Sequence, residues 1–268
     1  MSALSSQAAL KAFASEFLNG KDINAIRAAM SENYVLRIGQ HVLRGREQDY
    51  LPGTLGQFEQ FDDFCIHIHQ VILGEGFGAL RFSESGRSKK HGGAKAVWHG
   101  IALFDIHAGQ LQKGWAEEDY LARRYQLSGA RPQSLLPALE SPWILKPESG
   151  QPNPQAERVA EGWLSEGGWL MSEHAFMLVE PSQNPPLTQL FNPIGLTLDR
   201  LASADDWVVF HCSARGTYLG GFNEISASAV GRGVELAAAG CLQVLGDTVV
   251  KAYCVADRLG MNKALAKQ

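Results

Sequence analysis

Long apolar runs are missing from this chain. No window approaches the roughly 18 uncharged apolar residues that a membrane span requires, and Met1 to Leu10 lacks the basic start and apolar stretch of a secretory leader. No membrane association is expected, and the expected location is cytoplasmic. Cysteine is scarce: Cys65, Cys212, Cys241 and Cys254 lie singly inside apolar, strand-like stretches, as buried thiols do in reducing compartments, so no disulfide framework is expected. An excess of positive charge is also absent. The formal net charge is -4, and the basic clusters Arg87 to Lys90 and Arg123–Arg124 are too short for a nucleic-acid footprint. No G-x-S-x-G elbow occurs, and Gly74, Gly76 and Gly78 open no G-x-G-x-x-G helix, so neither a serine nucleophile nor a phosphate loop is indicated. No metal and no cofactor are expected. His67-x-His69 has acceptable ligand types for zinc, but the pattern is common on strands without metal.

What is present is a folded composition: 45% of the residues are hydrophobic and 19% charged over 268 residues, a length that suits two domains of ordinary size. Leu10, Phe13, Ala14, Phe17 and Leu18 recur at helical spacing and paint one face, and Asn19–Gly20 stops the helix. Asp22 reads as the cap of a second helix carrying Ile23, Ile26 and Met30 inward. Tyr34 to Ile38 reads as a short strand and Arg46 to Phe58 as a third helix interrupted by Pro52 and Gly53. Strands follow over about Phe64 to Leu73, Phe77 to Ser83, Ala96 to His107 and Gln110 to Tyr120, with Ala108–Gly109 as the last hairpin turn.

Ser128 to Pro152 holds five prolines and no sustained period, and reads as a linker over 129–152. It separates a first domain, 1–128, from a second, 153–268. Asn153–Pro154 looks like a cap followed by proline at the first helical position, and Ala156, Val159, Ala160, Trp163 and Leu164 repeat the spacing of Leu10 to Leu18. Near the carboxyl end, Lys251-Ala-Tyr253-x-x-x-Asp257 echoes Lys113-Gly-Trp115-x-x-x-Asp119, each on a strand after a tight turn. The order and lengths point to an internal duplication.

The amino-terminal helices, the run of strands and the closing segment His107 to Leu127, with Trp115, Asp119 and Gln126–Leu127 after a tight turn, resemble the SnoaL-like polyketide cyclases of the nuclear transport factor 2-like superfamily. The resemblance covers about Leu10 to Leu127, and only Tyr253 and Asp257 carry over to the second half. It implies an α+β fold of two cone-shaped domains, each with amino-terminal helices packed in a curved antiparallel sheet. It also implies an aspartate, here Asp119, that moves a proton during carbonyl chemistry without a cofactor. Superfamily members often pair through the outer face of the sheet, so the two halves are expected to form a pseudo-dimer within one chain, with a monomer or a dimer of such pairs following.

Strand alternation sets Trp115, Glu117 and Asp119 on one face of their strand and Gln112, Gly114, Ala116 and Glu118 on the other. If the first set lines the concave face, the desolvated Asp119 carboxylate is a usable acid and base; the alternative puts Asp119 at a strand end, paired with Arg123 or Arg124. Six of the eight histidines precede the linker, and only His174 and His211 follow it. His67 and His69 project from one face, and His99, beside Trp98 on a neighbouring strand, is placed to orient Asp119 or donate to a substrate carbonyl; the other reading leaves His67 and His69 on a solvent face. Tyr34 is a further candidate pocket residue. The expected site is thus catalytic Asp119 and His99, lined by Trp115, Tyr34, His67, His69, Glu117 and Trp98, with Tyr253 and Asp257 as second-domain equivalents. Two function classes follow: a cyclase, isomerase or other lyase acting on a small hydrophobic carbonyl compound, or a non-catalytic ligand-binding or scaffold protein.

Overall fold

The computed structural model describes residues 5–143, 149–170 and 185–267; His174 lies outside them. Helix α1 (Ser6–Lys11) starts where Ser5 Oγ accepts from the Ala8 amide, and the chain continues as a π-type helix, Ala12–Asn19. Phe13, Phe17 and Leu18 are buried there, the face that the spacing predicts. Asp22 caps α2 (Ile23–Ala29) by accepting from the Asn24 and Ala25 amides. A π-type turn, Arg46–Tyr50, runs into α3 (Leu51–Gln60), where Pro52 sits in the first turn, a position that requires no amide donor.

These helices lie against a six-stranded sheet in the order β2 (His41–Arg44), β1 (Met30–Ile38), β6 (Gln110–Glu118), β5 (Ala94–His107), β4 (Phe77–Ser88), β3 (Cys65–Gly74). Every pairing is antiparallel except β1 with β6, which is parallel. The expectation of a wholly antiparallel sheet is corrected at that one seam, where β1 leaves the helical layer and enters the sheet beside its last strand. Ala108 and Gly109 both take positive φ (49° and 74°) in the β5–β6 hairpin, the geometry of a tight two-residue turn. A short helix, α4 (Tyr120–Leu127), follows β6.

The second half begins with α5 (Pro154–Ser165), capped by Asn153, whose side chain accepts from the Ala156 amide. A short α6 (Leu187–Leu190) leads into a four-stranded antiparallel sheet in the order β10 (Thr248–Ala256), β9 (Gly233–Leu245), β8 (Trp207–Tyr218), β7 (Phe191–Ala204), and α7 (Arg258–Ala266) closes the chain. The molecule is therefore α+β with two separate sheets, each accompanied by a few helices. Among the described residues no helix is long and apolar enough to cross a membrane.

Each sheet covers its own apolar core, and a third cluster joins them. Ile72, Phe77, Ala79, Ile101 and Leu103 of the first sheet meet Ala202, Ala204, Val209, Ala239, Cys241 and Val255 of the second. On β4 and β5 these residues alternate with Leu80, Phe82, Ala102 and Phe104, which face the helices, so the two sheets pack outer face to outer face. The segment after α4 runs along the outer side of β3, where the Leu139 amide donates to Ile68 O and the Gly150 amide to Leu73 O.

Candidate functional site

The first sheet and its helices enclose a cavity of about 290 Å³. Its walls are largely apolar, with Phe13, Leu36, Phe64, Phe82 and Phe104 among them, and its polar groups are few: Tyr34, His41, Tyr50, Thr54, Gln57, Glu84, Glu118 and Tyr120. Glu84 comes from β4 and Glu118 from the end of β6. Between them runs β5, where Trp98 stands opposite Glu84 and Gly100 opposite Glu118. The two carboxyl groups are close enough for the charge of Glu118 to act on Glu84. Gln57 Nε2 donates to Glu84 Oε2 (2.9 Å) and Trp98 Nε1 to Glu118 Oε2 (2.8 Å). Burial and then the neighbouring Glu118 charge push the Glu84 carboxyl well above its ordinary range. Burial and the adjacent carboxylate thus favour the protonated form of Glu84.

Three phenols complete the polar wall. Tyr120 hydrogen-bonds to Glu118, and burial, together with the negative charge of Glu118, raises its hydroxyl well above the usual value. Tyr50 is buried beside Tyr34, ring centroids 5.5 Å apart. The Tyr34 hydroxyl is buried with no hydrogen-bond partner among the described residues; a phenol O–H enclosed without a partner is costly, and this one belongs to the cavity wall. Arg123 stacks on Tyr120, 4.2 Å from the ring centre, and reaches Trp98 at 5.0 Å, a cation held over the aromatic side of the carboxyl pair.

The expected site residues separate into three groups. Tyr34 is in the cavity lining, and Trp98 lies on the same side of the sheet, packed on Phe61 and Phe64 and donating to Glu118. Trp115, Glu117 and Asp119, by contrast, are not among the cavity-lining residues: the faces of β6 are the reverse of those expected, with Ala116 and Glu118 turned inward. The concave side of a strongly curved sheet has little room. A Cβ at Gly114 would collide with the Tyr34 hydroxyl, so the small residues face inward and Trp115 goes outward, opposite Leu103 of the joint cluster. The carboxylate that enters the cavity is one residue along from the one that the motif suggested.

Asp119 is buried at the junction of the two halves. Its Oδ1 accepts from the Ala122 amide and caps α4, and its Oδ2 accepts from Arg258 Nη2 at 2.6 Å. It pairs with neither Arg123 nor Arg124; Arg124 bonds Glu224 (2.9 Å) and Asn262 (3.0 Å). Asp257 repeats the same local structure: it caps α7 by accepting from the Gly260 amide, with φ and ψ of -73° and 65° against -75° and 65° at Asp119. The Asp119 amide donates to His99 O, and the Asp257 amide to Ala237 O.

His67, His69 and His99 lie on the outer face of the first sheet. His69 Nε2 and His99 Nδ1 both contact Ser83 Oγ (2.6 and 2.7 Å), His69 Nδ1 donates to Pro137 O (3.0 Å), and His67 Nε2 contacts Ser85 Oγ (3.1 Å). His69 and His99 converge, but on Ser83 beneath the connecting segment and not on the cavity, and His67 stands apart on Ser85. Burial pulls His69 and His99 down to about 4, so both are neutral there.

Ladder positions allow the two halves to be compared residue by residue. Aligning Asp119 with Asp257 through their hydrogen bonds to His99 and Ala237 sets Glu118 against Ala256, Glu84 against Ala214 and Trp98 against Leu236. His69 and Asp199 also correspond. Each sits at a β-bulge (Ile68/Gln70; Leu198/Arg200), and each contacts a serine on the next strand: Ser83 at 2.6 Å and Ser213 at 2.8 Å. Tyr253 stacks on Trp207 and under Arg81 at the joint.

Glu84, Glu118, Gln57, Tyr50 and Tyr120 carry no recognisable motif in sequence. The alternation along β6 did set Glu118 on the face opposite Asp119, and the small residues Gly114 and Ala116 on that same face were the available sign of which side is concave.

No family model and no curated protein matches this chain. Among solved structures, similar ones include a protein described as a SnoaL-like polyketide cyclase from Jannaschia sp. CCS1, 16% identical, with a TM-score of 0.43, covering 48% of this chain and 96% of that one. An LEH-like epoxide hydrolase from M. tuberculosis is 14% identical, with a TM-score of 0.40, over 46% and 89% of the two chains. A protein with a ketosteroid isomerase-like fold from Catenulispora acidiphila, solved with trimethylamine, is 13% identical, with a TM-score of 0.39, over 45% and 92%.

Proposed function

We propose that the first-domain cavity is a cofactor-independent acid/base site for a small, largely apolar carbonyl compound, with the Glu84–Glu118 pair as its proton-carrying group. The observation that carries this reading is two carboxyl side chains, Glu84 and Glu118, brought to the wall of one largely apolar cavity from either side of β5, beside a Tyr34 hydroxyl that has no partner among the described residues. In this reading Glu84, buried and favoured in its protonated form, donates while the half-buried Glu118 accepts, which lets a single site remove a proton from a carbon next to a carbonyl and return it elsewhere. Tyr34 is suited to donate to the carbonyl oxygen, and its desolvated O–H strengthens as charge develops there. Gln57, Trp98 and Tyr120 fix the two carboxyls through the hydrogen bonds described. The chemistry fits cyclisation, isomerisation or another lyase-type step that passes through an enol.

In this proposal the chain is a tandem duplication with boundaries near 1–128 and 153–268, the halves forming a pseudo-dimer. The second half has lost the chemistry, since alanines stand at the positions of Glu84 and Glu118. Asp119 and Asp257 are the duplicated caps that lock each closing helix, and His99 supports Asp119 through backbone and not substrate.

The test is exchange of α-protons. A panel of aryl and cyclic ketones is incubated with the protein in D2O, and deuterium incorporation is followed by NMR. Glu84→Gln and Glu118→Gln are expected to lower exchange at least 100-fold, while binding of 2-naphthol, read by fluorescence, persists. Naphthol binding without exchange of any ketone by the unmodified protein would favour the non-catalytic ligand-binding class.

A further inference from the structure

A second cleft lies where the two halves meet, and it is larger than the first-domain cavity, about 480 Å³. One wall is the β1–β2 turn of the first half, Ile38, Gly39, Gln40 and His41, with Glu117 of β6. The opposite wall is one face of α7: Leu259, Gly260, Lys263, Ala264 and Lys267 recur at helical spacing, with Asp257 at the start. Neither half encloses the cleft alone.

Charge is sorted by depth. Glu117 is 1% exposed and Asp257 8%, so both carboxyl groups are at the floor, whereas Lys263 and Lys267 are exposed and stand at the rim. The floor is built to hold its shape. Glu117 Oε1 accepts from the Gly39 amide and contacts His211 Nε2, both at 3.0 Å, and His211 Nδ1 contacts Asp199 Oδ2 at 2.9 Å. Asp199 in turn binds Ser213 (2.8 Å) and Arg37 (2.5 Å). This Arg37–Asp199–His211–Glu117 chain crosses the joint and fixes one carboxyl. Asp257 is wedged between two glycines: a Cβ at Gly39 or at Gly260 would strike its carboxylate, and Gly39 also has φ +52°. Burial pushes the Glu117 carboxyl up to about 7 and raises Asp257, and the contacts to His211 and to the Gly39 and Gly260 amides offset only part of that rise.

We propose that this cleft is a second ligand site, selective for a small zwitterion of the amino-acid type, its ammonium on the Glu117 and Asp257 carboxylates and its carboxylate on Lys263 and Lys267. A simple anion meets two buried carboxylates at the floor, and a simple cation must pass two lysines at the rim; a ligand bearing both charges satisfies each end. The remaining surface of Ile38, Tyr120 and Leu259 takes a modest apolar side chain. The site needs both halves, which gives the second half a role independent of the chemistry proposed for the first.

The twenty natural L-amino acids are screened by thermal shift, and the best binder is taken to isothermal titration beside its carboxamide, which lacks the anion, and its decarboxylated amine and deaminated acid. Only the intact amino acid is expected to bind, with each control at least 10-fold weaker. Lys263→Glu/Lys267→Glu, on the exposed rim, and Glu117→Gln should each weaken it by a similar factor, leaving 2-naphthol binding in the first-domain cavity unchanged. Absence of any shift, equal binding of the deaminated acid or of the amine, or unchanged affinity in the rim variant would overturn the proposal.

Discussion

Arg258, at the start of the last helix, places Nη2 2.6 Å from Asp119 Oδ2, at the end of the last strand of the first sheet, and both side chains are buried. The pair ties the two halves together at equivalent points, because Asp119 caps α4 and Arg258 directly follows Asp257, the cap of α7. Breaking a buried pair from one side leaves an uncompensated charge. Arg258→Met is therefore expected to lower stability by about 3–5 kcal/mol. The double variant Arg258→Met/Asp119→Asn should lose less than the sum of the two single changes. Urea unfolding of the four proteins gives the coupling directly.

The carboxyl pair in the first-domain cavity has a pH signature. Glu84 is raised in the folded state, so its protonated form contributes stability that is complete below the unfolded value near 4.5 and is lost as pH rises toward the folded value. Glu84→Gln carries no charge at any pH. Its melting temperature is expected to match the unmodified protein near pH 5 and to exceed it by a few degrees at pH 8. Equal melting at both pH values would mean that the folded protein does not favour the protonated form of Glu84.

His69 and His99 predict the opposite slope. Both are held neutral by burial, with folded values of about 4 against 6.5 in the unfolded chain. The unfolded state therefore binds more protons across this window, and the stability they contribute is full above 6.5 and falls as pH drops toward 4. Unfolding midpoints measured at pH 7, 6 and 5 should decline, and His99→Gln should flatten the decline. An unchanged slope in that variant would show that His99 is charged in the folded protein.

Gly114 tests which face of β6 is concave. A methyl group there would strike the Tyr34 hydroxyl, and inserting atoms into a packed interior typically costs about 1–3 kcal/mol. Gly114→Ala is expected to destabilise by that amount and to weaken 2-naphthol binding. Trp115→Phe, one residue away and facing the joint, should leave naphthol binding intact.

Much of the scaffold could be read in the chain because its signals are local. The Asp22 and Asn153 caps, the Pro52 and Pro154 positions, the Ala108–Gly109 turn and the strands over Phe64 to Leu73 and Phe77 to Ser83 depend on neighbours a few residues away. The short helices α4 and α7 do not stand out by apolar spacing, although Asp119 and Asp257 are their caps. A conspicuous aspartate four residues after an aromatic drew attention as chemistry, while its commonest structural use, accepting an amide bond at a helix start, accounts for the position.

Alternation placed Glu117 and Glu118 on opposite faces with certainty, because successive strand side chains must diverge. Which face is concave depends on curvature, on the parallel seam between β1 and β6, and on the approach of Tyr34 over Gly114. All of these join residues far apart in sequence. Glu84 and Glu118 become a pair only through the strand that lies between them, and Arg258 and His211 reach the first half only because the two sheets pack outer face to outer face. The sequence by itself determined most of the elements, the Asp22 and Asn153 caps and the two aromatic-x-x-x-Asp strings; only the tertiary structure decided which carboxylates are drawn out of water together, because desolvation and charge coupling are properties of packed neighbours and not of spacing along the chain.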